Sequence, residues 1–164
     1  MAEGEHAPSE LLLITEPGRF VVLYDDVRGV SNGIAVSADD TTIYHAESGA
    51  RQIRVSRFAG PERVEIVGHW PTAEVAGTPD GVALDVNGDL WVAMHRGGCV
   101  VRFTPDGSVA SRLDVPARRV TNLCFAGATL YITSLDNDVQ PELRGSIFRT
   151  DAPVAGAPVP VARI

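Results

Sequence analysis

Residues 78–94 read TPDGVALDVNGDLWVAM. Pro79-Asp80-Gly81 is a turn signal, Val82-Ala83-Leu84 is a short apolar run ending at Asp85, and Asn87-Gly88 leads into a second run from Leu90 to Met94. Asn-Gly between two apolar runs predicts a hairpin, because both residues tolerate the positive φ of a two-residue turn. Neither run alternates cleanly between apolar and polar. Both are therefore expected to be covered on both faces, as the inner strands of packed sheets are.

The same design recurs on either side. Upstream, Val30–Ser37 and Thr42–Ala46 flank the turn 38–41; downstream, Val120–Phe125 and Thr129–Ser134 flank Ala126-Gly127-Ala128. Aligned on the first polar residue, the copies begin at Asn32, Asp80 and Asn122, at intervals of 48 and 42 residues. A period of about 40 to 50 residues holding several short strands is the signature of a β-propeller blade. Gly (16) and Pro (11) fall between the apolar runs and no segment of useful length has a helical period, so the fold class is all-β.

The blades are expected at about 30–70, 78–115 and 120–164. Ahead of them, 11–25 reads as two strands joined by Glu16-Pro17-Gly18, the outer half of a blade, and residues 1–10 as a disordered start or loop remnant. Arg54 and Arg57 interrupt their strand as solvent-touching positions of an outer strand would. The Ala-, Pro- and Val-rich tail 151–164 reads as a last irregular edge strand, since Pro153, Pro158 and Pro160 remove ladder donors. About three and a half blades of a six-bladed type leave two open edges. Either more chain or a second copy is expected to close the ring, a homodimer about a two-fold axis in the latter case.

The net charge of −7 argues against a general nucleic-acid binder, and no apolar run approaches the roughly 18 residues of a membrane span. The acidic start has no signal-peptide core, and Cys99 and Cys124, on strands of neighbouring repeats, read first as ordinary buried thiols and second as a disulfide or redox pair, so the expected location is cytoplasmic.

The first residue of each inner strand sits at one mouth of a propeller's channel. That places Asn32, Asp80 and Asn122 around one axis with side-chain oxygens suited to a divalent cation: calcium first, with zinc, magnesium or manganese as alternatives. Asp80, the one carboxylate of the three, is also the candidate general base. The plainer reading is that Asn and Asp before Gly form turns through bonds to nearby N–H groups. His95 follows the inner hairpin strand of the middle blade and His45 lies within the matching strand of the first; each is either a satisfied structural residue or a group reaching the mouth. Asp136, Asp138 and Glu142 form an acidic loop, solvated or cation-binding. Trp91 and Tyr131 occupy equivalent strand positions and read as core.

The pieces SNGIAVSADDTTIYHAES, GTPDGVALDVNGDLWVAMHRGGCVVRFTPDG and VTNLCFAGATLYITS resemble the second half of the senescence-marker-protein/gluconolactonase/luciferin-regenerating-enzyme family, over roughly residues 11–148. The resemblance implies a six-bladed propeller with one divalent cation in its channel, and hydrolysis of lactones or related esters. It puts the family's Asn ligand on Asn32, with Ser31 in place of the motif's Pro, and its Asp ligand and base on Asp80. The family's Glu ligand has no match: Glu3-Gly4-Glu5 lacks the following strand. Calcium takes about six to eight oxygens, so Asn32 and Asp80 alone leave it under-ligated. Asn122 and His95 are weaker candidates for substrate contact. Two readings follow: a metal-dependent lactone or ester hydrolase, or a non-catalytic propeller fragment serving as a binding or assembly module, inactive for want of the N-terminal ligand-bearing blades.

Overall fold

The computed structural model describes residues 8–136 and 140–159. Among these, thirteen strands form four antiparallel sheets: β1 (Ser9–Glu16) with β2 (Arg19–Val27); β3 (Ser31–Val36), β4 (Thr42–Glu47), β5 (Gln52–Gly60) and β6 (Arg63–Pro71); β7 (Thr78–Leu84), β8 (Leu90–His95), β9 (Cys99–Phe103) and β10 (Val109–Asp114); and β11 (Val120–Ala126), β12 (Thr129–Ser134) and β13 (Ile147–Asp151). One 3₁₀ turn, Pro141–Leu143, precedes β13. No helix among the described residues is long and apolar enough to cross a membrane.

The three larger sheets stack face to face around their first strands, with β7 against both β3 and β11, while β2 meets β6. One apolar cluster, with Tyr44, Ile53, Trp70, Leu90, Met94 and Phe103, joins the β3–β6 sheet to the β7–β10 sheet. A second, with Trp91, Val100, Leu123, Leu130 and Ile132, joins β7–β10 to β11–β13. Trp70 is the centre of the first, tilted against Tyr44 at 5.3 Å between ring centroids and stacked on Phe103 at 6.2 Å. Trp91 meets Phe125 edge-on at 5.5 Å in the second. Burying such aromatic and aliphatic surface on both faces of the middle blade is the main force holding the stack. This is the arrangement of a partial propeller.

Several expectations change. The β7–β8 connection is a five-residue loop, 85–89, because Leu84 pairs with Leu90. Its organiser is the buried Asp85 carboxylate, which accepts the N–H groups of Asn87 (2.9 Å) and Asp89 (3.1 Å) and the indole N–H of Trp91 (2.9 Å). Strand β1 begins at Ser9, so the loop remnant assigned to 1–10 stops short of it; residues 1–7 lie outside the described residues. Of the inner strands' expected partners, β8 is covered on both faces, but β3 exposes Ile34 and Val36, since one face of an inner strand looks into the channel. Cys124 is exposed for the same reason, while Cys99 is buried; both thiols are free. Tyr131 is half-buried where Trp91 is covered. The tail is no outer edge strand. It returns to the inner hairpins: Val86 N–H donates to the Ala155 carbonyl, Ala157 N–H to Leu84 and Gly156 N–H to Gly127. Pro160 lies outside the described residues.

Arg54 is the largest departure. It is 4% exposed, donating from Nε to Glu47 Oε1 and from Nη1 to Asp26 Oδ1, each at 2.5 Å, with its guanidinium 4.5 Å from the centre of the Tyr24 ring. Glu47 is 1% exposed and also accepts from Gln52 Nε2. This cluster ties β2 to the β3–β6 sheet, and the charged group is tolerated inside because its donors find carboxylates.

Candidate metal and active site

The three candidate oxygens sit on β3, β7 and β11, and each strand is irregular at that point. Pairing registers slip between Ser31 and Ile34, between Pro79 and Val82, and between Val120 and Asn122. A slip of this kind turns a side chain off its strand's alternation, and bulges recur beside active sites for that reason. The turn-forming reading of Asn32 and Asp80 fails here. Both lie within strands, and the glycines after them, Gly33 and Gly81, are not among those with positive φ.

These glycines serve close approach instead. A Cβ on Gly33 would lie 2.4 Å from the Asp80 carbonyl oxygen, and one on Gly81 would lie 2.1 Å from Asn122 Oδ1 and 2.6 Å from its Cα. No side chain fits at such distances without moving the backbone of the neighbouring strand. The inner strands therefore converge to a spacing that only glycine permits. A cavity of about 430 Å³ opens at this convergence, lined by Gly33, Ile34, Asp80, Gly81, Thr121 and Asn122 among others. A second space of about 540 Å³, walled by Val36, Val82, Leu84 and Phe125, continues along the inner strands. The channel face is thus polar at the strand starts and apolar beyond them.

The three residues are not equivalent in chemistry. The Asp80 carboxyl is half-buried, and burial pushes it above the usual carboxylate range, with His95 the nearby charge acting against that shift. No side chain among the described residues hydrogen-bonds this carboxylate. A partly desolvated carboxylate without a donor is a poor resting state unless a cation or a proton occupies it. Asn32 is exposed; its Nδ2 donates to Ser48 Oγ at 2.7 Å, and Ser48 Oγ in turn donates to the Pro79 carbonyl. Asn122 Oδ1 accepts the N–H of Leu123 at 2.8 Å, so it is more committed to its own strand than the sequence implies.

His95 lies at the end of β8, paired with Thr78, and its Nδ1 is buried without a hydrogen bond among the described residues. His45 is structural: Tyr24 Oη meets its Nδ1 at 2.8 Å and Ser31 Oγ meets its Nε2 at 2.6 Å. In the acidic loop, Asp136 faces Arg144 at 3.6 Å and Arg119 at 3.9 Å, which makes it a salt-bridge partner; Glu142 belongs to the 3₁₀ turn, and Asp138 lies outside the described residues. Among the described residues no group of three or more His, Cys, Asp or Glu side chains is placed to hold a metal. The oxygens of Asn32 and Asp80 suit a hard divalent cation in kind, while leaving part of its coordination to other donors. Sequence reasoning missed Ser48 and the strand-to-strand role of Gly33 and Gly81, because a serine in Ala-Glu-Ser carries no local signal of a contact 31 residues away.

Comparison with known proteins bears on the family and the fold. The family described as SMP-30/Gluconolactonase/LRE-like region matches residues 1–136. The pentonolactonase XacC of Haloferax volcanii is 32% identical over 147 residues, 79% of this chain and 50% of that protein. The 6-deoxy-6-sulfogluconolactonase of Pseudomonas putida is 32% identical over 164 residues, 93% of this chain and 56% of that protein. The solved structure of regucalcin from Agrobacterium tumefaciens, described as a calcium-binding protein, superposes with a TM-score of 0.70 at 22% identity over 85% of this chain and 50% of that one, which supports the fold. The chain spans about half the length of the curated relatives it matches. From the matched region and these relatives, the chain belongs to the SMP-30/gluconolactonase/LRE-like family.

Proposed function

We propose that this chain carries the proton-accepting and part of the cation-holding machinery of a lactone hydrolase. One observation carries the reading: three bulged strands bring Asp80, a half-buried carboxylate without a hydrogen-bond donor among the described residues, to one cavity with Asn122, and Asn32 borders it through Gly33. Lactonases among the relatives give the substrate class, a sugar lactone or related ester, and regucalcin's description as calcium-binding favours calcium over zinc, magnesium or manganese. Asn32 and Asp80 would hold the cation through their oxygens. Bound there, it would supply Lewis-acid polarisation of the lactone carbonyl.

Asp80 is suited to a second task. Its carboxylate lies at the mouth of the cavity, where it can take a proton from an attacking water. As water adds to the carbonyl carbon, one water proton passes to Asp80. On collapse the ring C–O bond breaks, and the leaving alkoxide takes that proton back to become the hydroxyl of the open acid. Beyond the mouth the wall is apolar, and its Val82, Leu84 and Phe125 side chains offer no competing proton acceptor to the attacking water.

The test is hydrolysis of glucono-δ-lactone followed by base titration. We expect turnover to vanish on chelation and return with calcium; turnover indifferent to chelator overturns the reading. The edges of β1 and β13 each lack a strand neighbour among the described residues, and Ile34 and Val36 stay exposed on the channel face. We propose that a second copy closes the ring. Light scattering should then give twice the mass of one chain, and a monodisperse monomer would exclude this arrangement. Two free thiols fit a reducing, cytoplasmic setting.

A further inference from the structure

We infer that Ser48 is a positioning residue that selects which end of the Asn32 carboxamide is offered to a cation, an inference that rests on the cation site proposed above. Ser48 follows β4 and is half-buried. Its hydroxyl touches two groups: Asn32 Nδ2 at 2.7 Å and the carbonyl oxygen of Pro79, the residue before Asp80. A hydroxyl has one proton to give. A carbonyl can only accept, so that proton belongs to Pro79. The Asn32 atom at Ser48 must then be a donor, which is the amide nitrogen. Oxygen and nitrogen of an amide look alike in shape, yet the proton count settles their order here. The carboxamide oxygen is turned away from Ser48 and left without a partner from this residue.

One side chain thus links both candidate ligands, through the side chain of Asn32 and the main chain beside Asp80. It does so across two blades, from the end of β4 to the bulge of β7. The close approach of Gly33 on β3 to the Asp80 carbonyl on β7 keeps the strands of the two candidate ligands in contact, so the hydroxyl works within a rigid frame. Without the hydroxyl, the amide is free to rotate by half a turn and present its NH₂ group, which repels a cation.

The test uses the full chain, with calcium alone as titrant by calorimetry and Mn²⁺ broadening of the Asn32 side-chain NH₂ resonances as a second readout. We expect Ser48→Ala to weaken calcium about ten- to a hundredfold, the usual cost of losing a group that orients a ligand. Ser48→Thr, which keeps the hydroxyl, should restore most of the affinity. The decisive comparison is made in Asn32→Asp. A carboxylate has two equal oxygens, so orientation no longer matters, and adding Ser48→Ala should change calcium affinity little. A loss of the same size in both backgrounds means that Ser48 acts on general structure and overturns the inference. If wild type binds calcium, Asp80→Asn does not, and Ser48→Ala matches wild type, the inference fails alone; if wild type binds none, the proposed function fails with it.

Discussion

Asp80→Asn is expected to lower calcium-dependent lactone hydrolysis by about 10²- to 10⁴-fold, the range ascribed to a positioned general base, while leaving the fold intact. The variant keeps the size and the strand position of the side chain and removes its charge and basicity. It should also separate activity from stability in a way that a damaged fold cannot. Burial raises the Asp80 carboxyl in the folded chain. The sign follows from linkage: the protonated form is favoured by folding, so its stabilisation is complete below the ordinary carboxylate range and is lost as pH rises through the raised folded value. Asparagine is permanently neutral. In chelator at pH 7 the variant should therefore melt above wild type, and the gap should close in acid, below about pH 4 where both chains are neutral at this position. Calcium should then reverse the order by raising the Tm of wild type alone. A variant with full turnover in calcium, or one that gains as much Tm from calcium as wild type, would remove Asp80 from the site.

The parts of this fold that were legible in the sequence are those that repeat. The hairpins beginning near Asn32, Asp80 and Asn122 recur in register, and period alone identifies stacked blades. What the sequence hid depends on contacts between elements. Gly33 and Gly81 read as turn glycines because Asn-Gly and Asp-Gly are turn pairs in isolation, yet their work is to let β3, β7 and β11 touch, which only a second strand reveals. Arg54 read as solvent-facing because a charge in an apolar run normally is; its partners are Glu47, seven residues back on β4, and Asp26, on a different sheet. The Asp85 loop was mistaken for a two-residue turn because the carboxylate that folds it precedes the Asn-Gly pair. The polar mouth is visible as a set of residue types, but the difference between Asp80, without a donor among the described residues, and the committed Asn122 is a matter of hydrogen bonds.

Arg54→Met should be the most destabilising single change outside the hydrophobic clusters. Methionine fills much of the volume of the arginine stem but leaves Glu47, 1% exposed, without its guanidinium partner. Gln52 Nε2 still donates to the carboxylate, yet a neutral amide cannot offset a buried charge. Removing one member of such a pair typically costs about 3–5 kcal/mol. That is a large part of the roughly 5–15 kcal/mol that holds a domain together. In urea, with a slope of about 1–3 kcal/mol per molar, the midpoint should fall by at least about 1 M. Two controls assign the cause. Glu47→Leu combined with Arg54→Met removes both charges together and should recover much of the loss, because the cost lies in the orphaned carboxylate more than in the missing attraction. Asp26→Asn, on the exposed side of the same arginine where the carboxylate is 61% accessible, should cost less than about 1 kcal/mol, as surface pairs do. If the double variant were as unstable as Arg54→Met, packing of the arginine stem and its contact with the Tyr24 ring, and not charge compensation, would be what joins β2 to its neighbouring sheet.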